Sequence, residues 1–596
     1  MRDIFIDRLK MRATHHASEP AYYTRTNHKW EAISWGDYYR KVASFAKSLI
    51  SLGLPKNGKV AILGFNRVEW AISCMGAQTA GCVSVGIYTS SSAEEVAYVV
   101  DHSDAEVLIV ENYERYVKQV LPIKSKLSKV KTFVIMESFN ESANLVLDFN
   151  EFLHLGNKIN DVDLEARSLS VEPQDVATMI YTSGTTGSPK SVMLSHASIA
   201  WTIRSLVASF KCNSQDKSLS YLPLAHIAEQ AFTIYAPVEC GMQSCFATSF
   251  EELKDNLREV EPTIFFGVPR VYEKMYDAIN VQMQKKKSFE KFLLKYFAKI
   301  SEKTVENLNS NISSGFLLSQ QMQLGRRLIF NQIRKKMGFG RIRVLVCGAA
   351  PISKSILHFF SGLDMPIYEV YGQSEDTGPT SINYPGSAKI GSAGRPLIGS
   401  QIKIAADGEI LVKGPHVFLG YYKDEAATKE TLRDGWLMSG DIGMIDKQGF
   451  LFITDRKKEL LITAGGKNVA PQGIEAMLKS LPFVQSAVVV GDSKKYLSAL
   501  FAPDMERLKR KAVELGLDQS QASALLADPA ILSAIADELA KINGKLAPVE
   551  QIKKYAFLNQ EFSIDSGEFT PTMKLKRKFV TNKYREEIEG MYLQAS

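Results

Sequence analysis

Between residues 56 and 375, short β-rich runs at 60–63, Val83–Ile87, 107–110, 133–136 and 344–346 alternate with longer helical stretches. That alternation predicts mainly parallel strands covered by helices. Beyond Gly391 the texture changes to short strands at 401–405, Glu409–Lys413 and 449–453, with a turn at Asp407-Gly408, ahead of the charged run 455–459. A helix near 471–481, a strand at 487–490 and a charged helical stretch over 505–545 then predict a small α+β domain. The expected fold class is α/β: a large N-terminal domain of packed sheets and helices with a β-rich subdomain, spanning 1–454, then a small C-terminal domain spanning 455–596. Residues 276–336 read as a helical insertion. Its segment 285–300 sets Phe289, Phe292, Leu293, Phe297 and Ile300 among lysines, which suits either a helix lying on a membrane or one packed on its own protein with a solvated lysine face.

A chain of 596 residues, 45% of them hydrophobic, buries a large core and exceeds the usual size of one domain. The net charge of +7, spread over 72 basic and 65 acidic side chains, makes no case for nucleic acid and only a weak one for anionic substrates or a membrane surface. Cys74, Cys82, Cys212, Cys240, Cys245 and Cys347 lie among apolar neighbours without metal-ligand spacing, as expected of reduced thiols in the cytoplasm. The charged residues 1–20 lack the apolar block of a signal peptide, and no apolar run has the length of a membrane span. The expectation is a soluble or peripherally attached cytoplasmic protein.

The most telling chemistry lies at 181–194. After an apolar strand at 177–180, Thr182, Ser183, Thr185 and Thr186 offer hydroxyls, Gly184 and Gly187 let the backbone approach an anion, and Lys190 adds a mobile positive charge. The spacing nearly matches the P-loop of ordinary NTPases, but Pro189 stands where the second glycine would be and has no N–H to give. A polyphosphate is the ligand these residues suit.

Four further motifs follow in order: Tyr371-Gly372-Gln373-Ser374-Glu375, Ser439-Gly440-Asp441, Asp455-Arg456, and Thr570-Pro571-Thr572-Met573-Lys574. With the phosphate loop they make the chain resemble, from about Trp35 to Lys578, the acyl-adenylate-forming superfamily, and within it the long-chain fatty acyl-CoA synthetases of the bubblegum type. The resemblance implies a ligase that joins a fatty acid to the α-phosphate of ATP, releases diphosphate, and lets coenzyme A displace AMP. Its active site is expected where the two domains meet, with the C-terminal domain mobile about a hinge at Asp455.

The resemblance also implies roles. Lys190 and the hydroxyl loop would hold the β- and γ-phosphates, and Glu375 with Thr182 would hold Mg²⁺, a hard ion suited to oxygen ligands. Tyr371 would stack on adenine against Gly348, Ala349 and Ala350, with Gly372, Gln373 and Ser374 completing that loop. Asp441 would accept from both ribose hydroxyls, assisted by Arg456, with Lys458 beside them. His226 matches a position lining the acyl and adenylate pocket, and Lys574 would bridge the carboxylate and the α-phosphate. Taken singly, Glu375 also reads as a solvated loop carboxylate, Asp441 as a turn residue, His226 as a satisfied structural histidine and Lys574 as one of a solvated basic run. Residues 265–268 suit either a tunnel wall for a fatty chain or a core strand. Two positions depart from the family pattern, Ser191 and Met573, each standing where glycine is common. Two rival functions remain: a fatty acyl-AMP ligase that loads a carrier protein, and a non-catalytic nucleotide- or lipid-binding relative.

Overall fold

The computed structural model describes residues 2–139, 146–182, 189–465, 467–570 and 573–593. The chain forms two compact units. One comprises Met1–Ala349, Ile356–Ile402 and Leu411–Met438, the other Ala350–Ser355, Lys403–Ile410 and Ser439–Ser596.

The larger unit is built on three sheets. In the eight-stranded sheet, Val176–Thr182, Val83–Ile87, Lys59–Leu63, Ala105–Val110, Thr132–Ile135 and Val146–Asp148 run parallel in that order. Lys190–Ser195 and then Gly420–Tyr421 close one edge antiparallel. All five residues of Val83–Ile87 are buried, and the residues between its valines and isoleucine are the small Ser84 and Gly86, as a strand covered on both faces allows. The helix Ala93–Ser103 opens with a capping box in which Ser92 accepts from the Glu95 N–H and the Glu95 carboxylate accepts from the Ser92 N–H. It ends at Asp104, in the left-handed region with φ 58°.

In the second sheet Ile264–Gly267, Val344–Cys347 and Ile367–Tyr371 run parallel, followed by the short antiparallel strands Ser381–Ile382 and Arg395–Pro396. Phe265 and Phe266 are buried in it, stacked on Tyr221 and Phe232, so the segment is a core strand. The third sheet orders Lys217–Ser220, Gln243–Phe246, Pro20–Thr26 and Lys29–Ser34.

Two sequence expectations need correction. The segment 285–300 is not one helix: Lys285, Lys286 and Lys287 lie between the helices Pro269–Gln284 and Ser288–Asn309, putting three cations at a helix start. The stretch 505–545 is broken as well, into Met505–Glu514, a 3₁₀ segment and Pro529–Asn543. Gly516 takes φ 73°, a common way to end a helix, and Pro529 follows the N-cap Asp528, which starts a new one.

The smaller unit has a sheet of Val484–Val490, Leu497–Pro503 and Ile552–Phe557, the first pair antiparallel and the second parallel, with helices packed on both faces. Mixed α/β with a large N-terminal and a smaller C-terminal unit is the class expected from the sequence. All six cysteines are free thiols, and burial pushes the Cys74 thiol up to about 11, leaving it protonated and inert.

Candidate active site

Strand Val176–Thr182 leads into the phosphate loop and strand Lys190–Ser195 leads out, with Thr182 opposite Lys190 in register. Ser183, Gly184, Thr185, Thr186 and Gly187 lie outside the described residues. The loop's stems are gripped by one helix. From Ala93–Ser103, the Tyr98 hydroxyl donates to the Pro189 carbonyl at 3.1 Å, and His102 Nδ1 shares a 2.8 Å hydrogen bond with the Tyr181 hydroxyl. Tyr98 and His102 also stack on each other.

Glu375 sits in a tight turn after strand Ile367–Tyr371. The turn is locked from below by buried Asp376, whose carboxylate accepts from the Gln373 N–H at 2.5 Å and the Thr380 hydroxyl at 2.9 Å. Gly372 is required there: a Cβ at that position would come within 1.5 Å of the Gly378 carbonyl oxygen. Tyr371 ends the strand and is buried. Gly348, Ala349 and Ala350 follow directly on Val344–Cys347, and Ala349 adopts φ 70°.

Lys190 and Glu375 are joined through a residue that the sequence did not flag. The segment 418–422 runs beside Lys190–Ser195, its backbone bonded to Met193 and Ser191, while the Phe418 N–H donates to the Glu375 carbonyl at 2.8 Å. This places the Tyr421 hydroxyl 2.9 Å from Glu375 Oε1, as donor, and the Tyr421 ring 4.8 Å from the Lys190 ammonium. Burial first, and the Glu375 carboxylate second, push the Tyr421 pKa far up, so the phenol is a permanent donor. Tyr422, next along, donates to Asp104 at 2.7 Å and ties the segment to the end of the helix that grips the loop.

The donor set suits a metal brought by a nucleotide. Among the described residues no group of three or more His, Cys, Asp or Glu forms a metal cage. Tyr421 engages only one oxygen of Glu375, and Thr182 stands at the loop mouth, so a Mg²⁺ here would draw most ligands from phosphate and water, as that ion prefers.

His226 N-caps the short helix Ile227–Gln230, its Nδ1 accepting from the Ala228 N–H at 3.2 Å. That bond fixes Nδ1 as the acceptor, and hence Nε2 as the protonated nitrogen of the neutral ring. Just beyond it, buried Glu229 accepts from Ser220 at 2.6 Å and Thr233 at 2.7 Å, with the Asn66 amide at 3.4 Å. Burial raises its carboxyl to about 7.

In the smaller unit, Asp441 and Arg456 face each other across the hairpin of Trp436–Ile445 and Leu451–Arg456, and Arg456 Nε lies 3.2 Å from Asp441 Oδ1. Asp441 is buried and Arg456 half-exposed, while Lys458 is exposed on the following 3₁₀ turn. Asp455 is a fully buried strand residue whose carboxylate accepts from the Arg456 and Gln472 N–H groups. Lys574 is partly buried, its N–H donating to the Thr570 hydroxyl at 3.0 Å. Met573 before it takes φ 60°, a left-handed conformation in which glycine would be free of strain. Arg577 in the same run is not solvated: it pairs with Glu475 at 2.7 Å and Glu459 at 3.4 Å.

The fold and these residues define an adenylate-binding enzyme, and the comparisons agree: the AMP-binding enzyme family matches residues 9–422, and the AMP-binding enzyme C-terminal domain matches 458–596. The chain belongs to the AMP-binding enzyme family. It is 37% identical over 609 residues to the long-chain-fatty-acid–CoA ligase ACSBG2 of Gallus gallus, covering 96% of this chain and 79% of that relative. Among solved structures it resembles the anthranilate CoA ligase AuaEII in complex with anthranoyl-AMP, with a TM-score of 0.73, 18% identity and 98% of each chain covered. It also resembles the O-succinylbenzoate CoA synthetase MenE of Bacillus subtilis bound to ATP and magnesium, with a TM-score of 0.67 and 21% identity over 96% of this chain and 98% of that one. At these identities the two structures speak for the fold.

Proposed function

We propose that this chain is an ATP- and Mg²⁺-dependent long-chain fatty acid–CoA ligase that works through an acyl-AMP intermediate. The observation that carries the reading is the convergence of Lys190 and Glu375 on Tyr421 at the mouth of the phosphate loop, in a chain 37% identical to a ligase of that name. A cation and a carboxylate brought together on one phenol, which takes a single carboxylate oxygen, are what binding a metal–polyphosphate complex requires.

In the first half-reaction a carboxylate oxygen of the fatty acid attacks the α-phosphorus of ATP, and the bond to diphosphate breaks. Lys190 and the loop hydroxyls hold the β- and γ-phosphates, and Lys574 screens the approach of two anions. Thr182 and Glu375 would hold Mg²⁺, which supplies positive charge against the charge building on the leaving group. Tyr371, with Gly348, Ala349 and Ala350, takes the adenine. Asp441 takes the ribose hydroxyls, oriented by Arg456, and Lys458 adds positive charge nearby. In the second half-reaction the thiol of coenzyme A gives up its proton, its sulfur attacks the acyl carbonyl, and AMP leaves with the electrons of the broken bond. His226, its Nδ1 spent on capping, presents an Nε2–H donor to the acyl-adenylate. A domain division at 454/455 with the hinge at Asp455 belongs to the same reading.

The test is diphosphate release as a function of fatty acid chain length, with and without CoA. Each buried methylene contributes roughly 0.8 kcal/mol, so kcat/KM should climb steeply from butyrate to a C16 acid, with acyl-CoA as product. Equal kcat/KM for short and long acids refutes the chain-length assignment, and accumulation of acyl-AMP without acyl-CoA favours a ligase serving a carrier protein. No diphosphate release with any acid leaves the non-catalytic reading.

A further inference from the structure

Residues 285–336 carry twelve lysines and arginines against three glutamates, a net +9, whereas the whole chain carries +7. The positive charge of the protein is therefore concentrated on this insertion. It folds as a helical hairpin in which Phe316–Gly325 packs back on Ser288–Asn309. The seam of the hairpin is already filled: Phe297, Ile300, Met322 and Phe330 are buried, and a Cβ on Gly325 would come within 2.8 Å of the Phe297 ring.

A second apolar surface remains outside that seam. Phe289, Phe292 and Tyr296 recur at helical spacing and stay exposed, Phe289 at 68%. On the neighbouring helix and the turn after it, Leu317, Leu324 and Leu328 do the same, with Gln321 on their stripe. The Gln321 amide donates to the Tyr296 hydroxyl at 3.0 Å, so the two stripes meet along one face. Exposed Lys291, Lys295 and Lys299, at four-residue spacing, flank the aromatic stripe. Between Glu306 and Asp364 the chain has no acidic residue at all.

We propose that this face docks on an anionic lipid bilayer. Exposed aromatics and leucines bordered by lysines fit the boundary between headgroups and acyl chains, where the rings enter and the ammonium groups stay at the phosphates. The same charge argues against a second copy of this chain as the occupant, because a two-fold contact would press lysine against lysine. The inference rests on this surface alone and is independent of the catalytic reading.

The experiment is co-sedimentation of the full chain with vesicles of phosphatidylcholine, with or without phosphatidylserine, over a range of salt. The protein should bind the phosphatidylserine vesicles, bind the neutral ones weakly, and come off as salt rises. Lys291→Glu with Lys295→Glu should weaken binding roughly tenfold or more, as should Phe289→Ser with Phe292→Ser. All four side chains are exposed, so the thermal melts should match the parent. Absence of binding, equal binding to neutral vesicles, or binding unchanged by both pairs overturns the proposal. So does a dimer, seen by light scattering, that the phenylalanine pair dissociates without any vesicle binding.

Discussion

Replacing Tyr421 by phenylalanine removes one hydroxyl and keeps the ring beneath Lys190. The lost interaction is a 2.9 Å hydrogen bond to a carboxylate, of a kind that contributes about 1.5–3 kcal/mol. Glu375 is half-buried, which puts the expectation at the lower end, and about 1.5 kcal/mol corresponds to roughly tenfold in a binding constant. Backbone pairing of Gly420 and Tyr421 with Met193 and Val192 does not involve the side chain, so Tyr421→Phe should fold normally. Steady-state diphosphate release, titrated separately in Mg²⁺, ATP and fatty acid, should show the Mg²⁺ and ATP requirements rising about tenfold with the fatty acid KM unmoved. Tyr421→Ala also removes the ring that faces Lys190 and should lose several-fold more. If Tyr421→Phe leaves the Mg²⁺ titration unchanged, or raises all three requirements alike, Tyr421 does not position Glu375 and the reasoning fails.

Gly372→Ala should yield protein that is inactive or fails to fold, since the added carbon would overlap the Gly378 carbonyl; an active, normally melting variant contradicts the geometry of the Glu375 turn. Glu229, raised from 4.5 to about 7 by burial, binds its proton more tightly in the folded chain, so its contribution is complete at acid pH and is lost as pH rises from about 4.5 to 7. That loss is on the order of 3 kcal/mol, and Glu229→Gln should flatten the fall of melting temperature between pH 5 and 8; parallel curves for parent and variant would assign the pH dependence elsewhere. Lys574→Ala should cut adenylation by roughly two to three orders of magnitude yet turn preformed acyl-AMP and CoA into thioester at a near-normal rate, and equal damage to both steps would make Lys574 structural. Asp455→Pro should keep acyl-AMP formation and lose thioester formation. Because Asp455 also caps two backbone N–H groups, Asp455→Ala is the control, and a proline effect no greater than that of alanine removes the hinge.

The elements that repeat locally were legible in the chain. Val83–Ile87 has the bounds its β-rich run predicts, and the strand leading into the phosphate loop follows from the apolar residues 177–180 ahead of the glycines, whereas the strand Lys190–Ser195 leading out of it was not read from the sequence. Glu375 was legible for the same reason, since a turn directly after a strand end is where a sheet presents a side chain. Tyr421 was not. Its two partners lie 46 and 231 residues away, and only the pairing of Gly420–Tyr421 onto the sheet edge brings all three together. Tyr98 and His102 look like ordinary positions of an amphipathic helix until the register of the parallel strands sets that helix against the loop stems. Arg577 shows the reverse error, a residue in a basic run that composition reads as solvated. Its acidic partners Glu459 and Glu475 come from about a hundred residues earlier.

The phenol between Lys190 and Glu375 also bears on why the site is arranged this way. Two opposite charges at the mouth of a loop would pair directly if nothing intervened, and Mg²⁺ and ATP would then have to break that pair before binding. Among the described residues no ion pair joins them: Glu375 takes a hydroxyl donor, and Lys190 rests over a ring face. A cation–π contact at a partly exposed position contributes about 0.5–1 kcal/mol, no more than a surface ion pair, but it occupies neither the three ammonium donors nor the second carboxylate oxygen. Among the described residues both charges are thus held in place by Tyr421 with the ammonium donors and the second carboxylate oxygen not engaged by it. On the proposed reading, binding Mg·ATP would then add interactions without first breaking an ion pair between these two residues, which is the condition for a site whose electrostatics are organised before the substrate arrives.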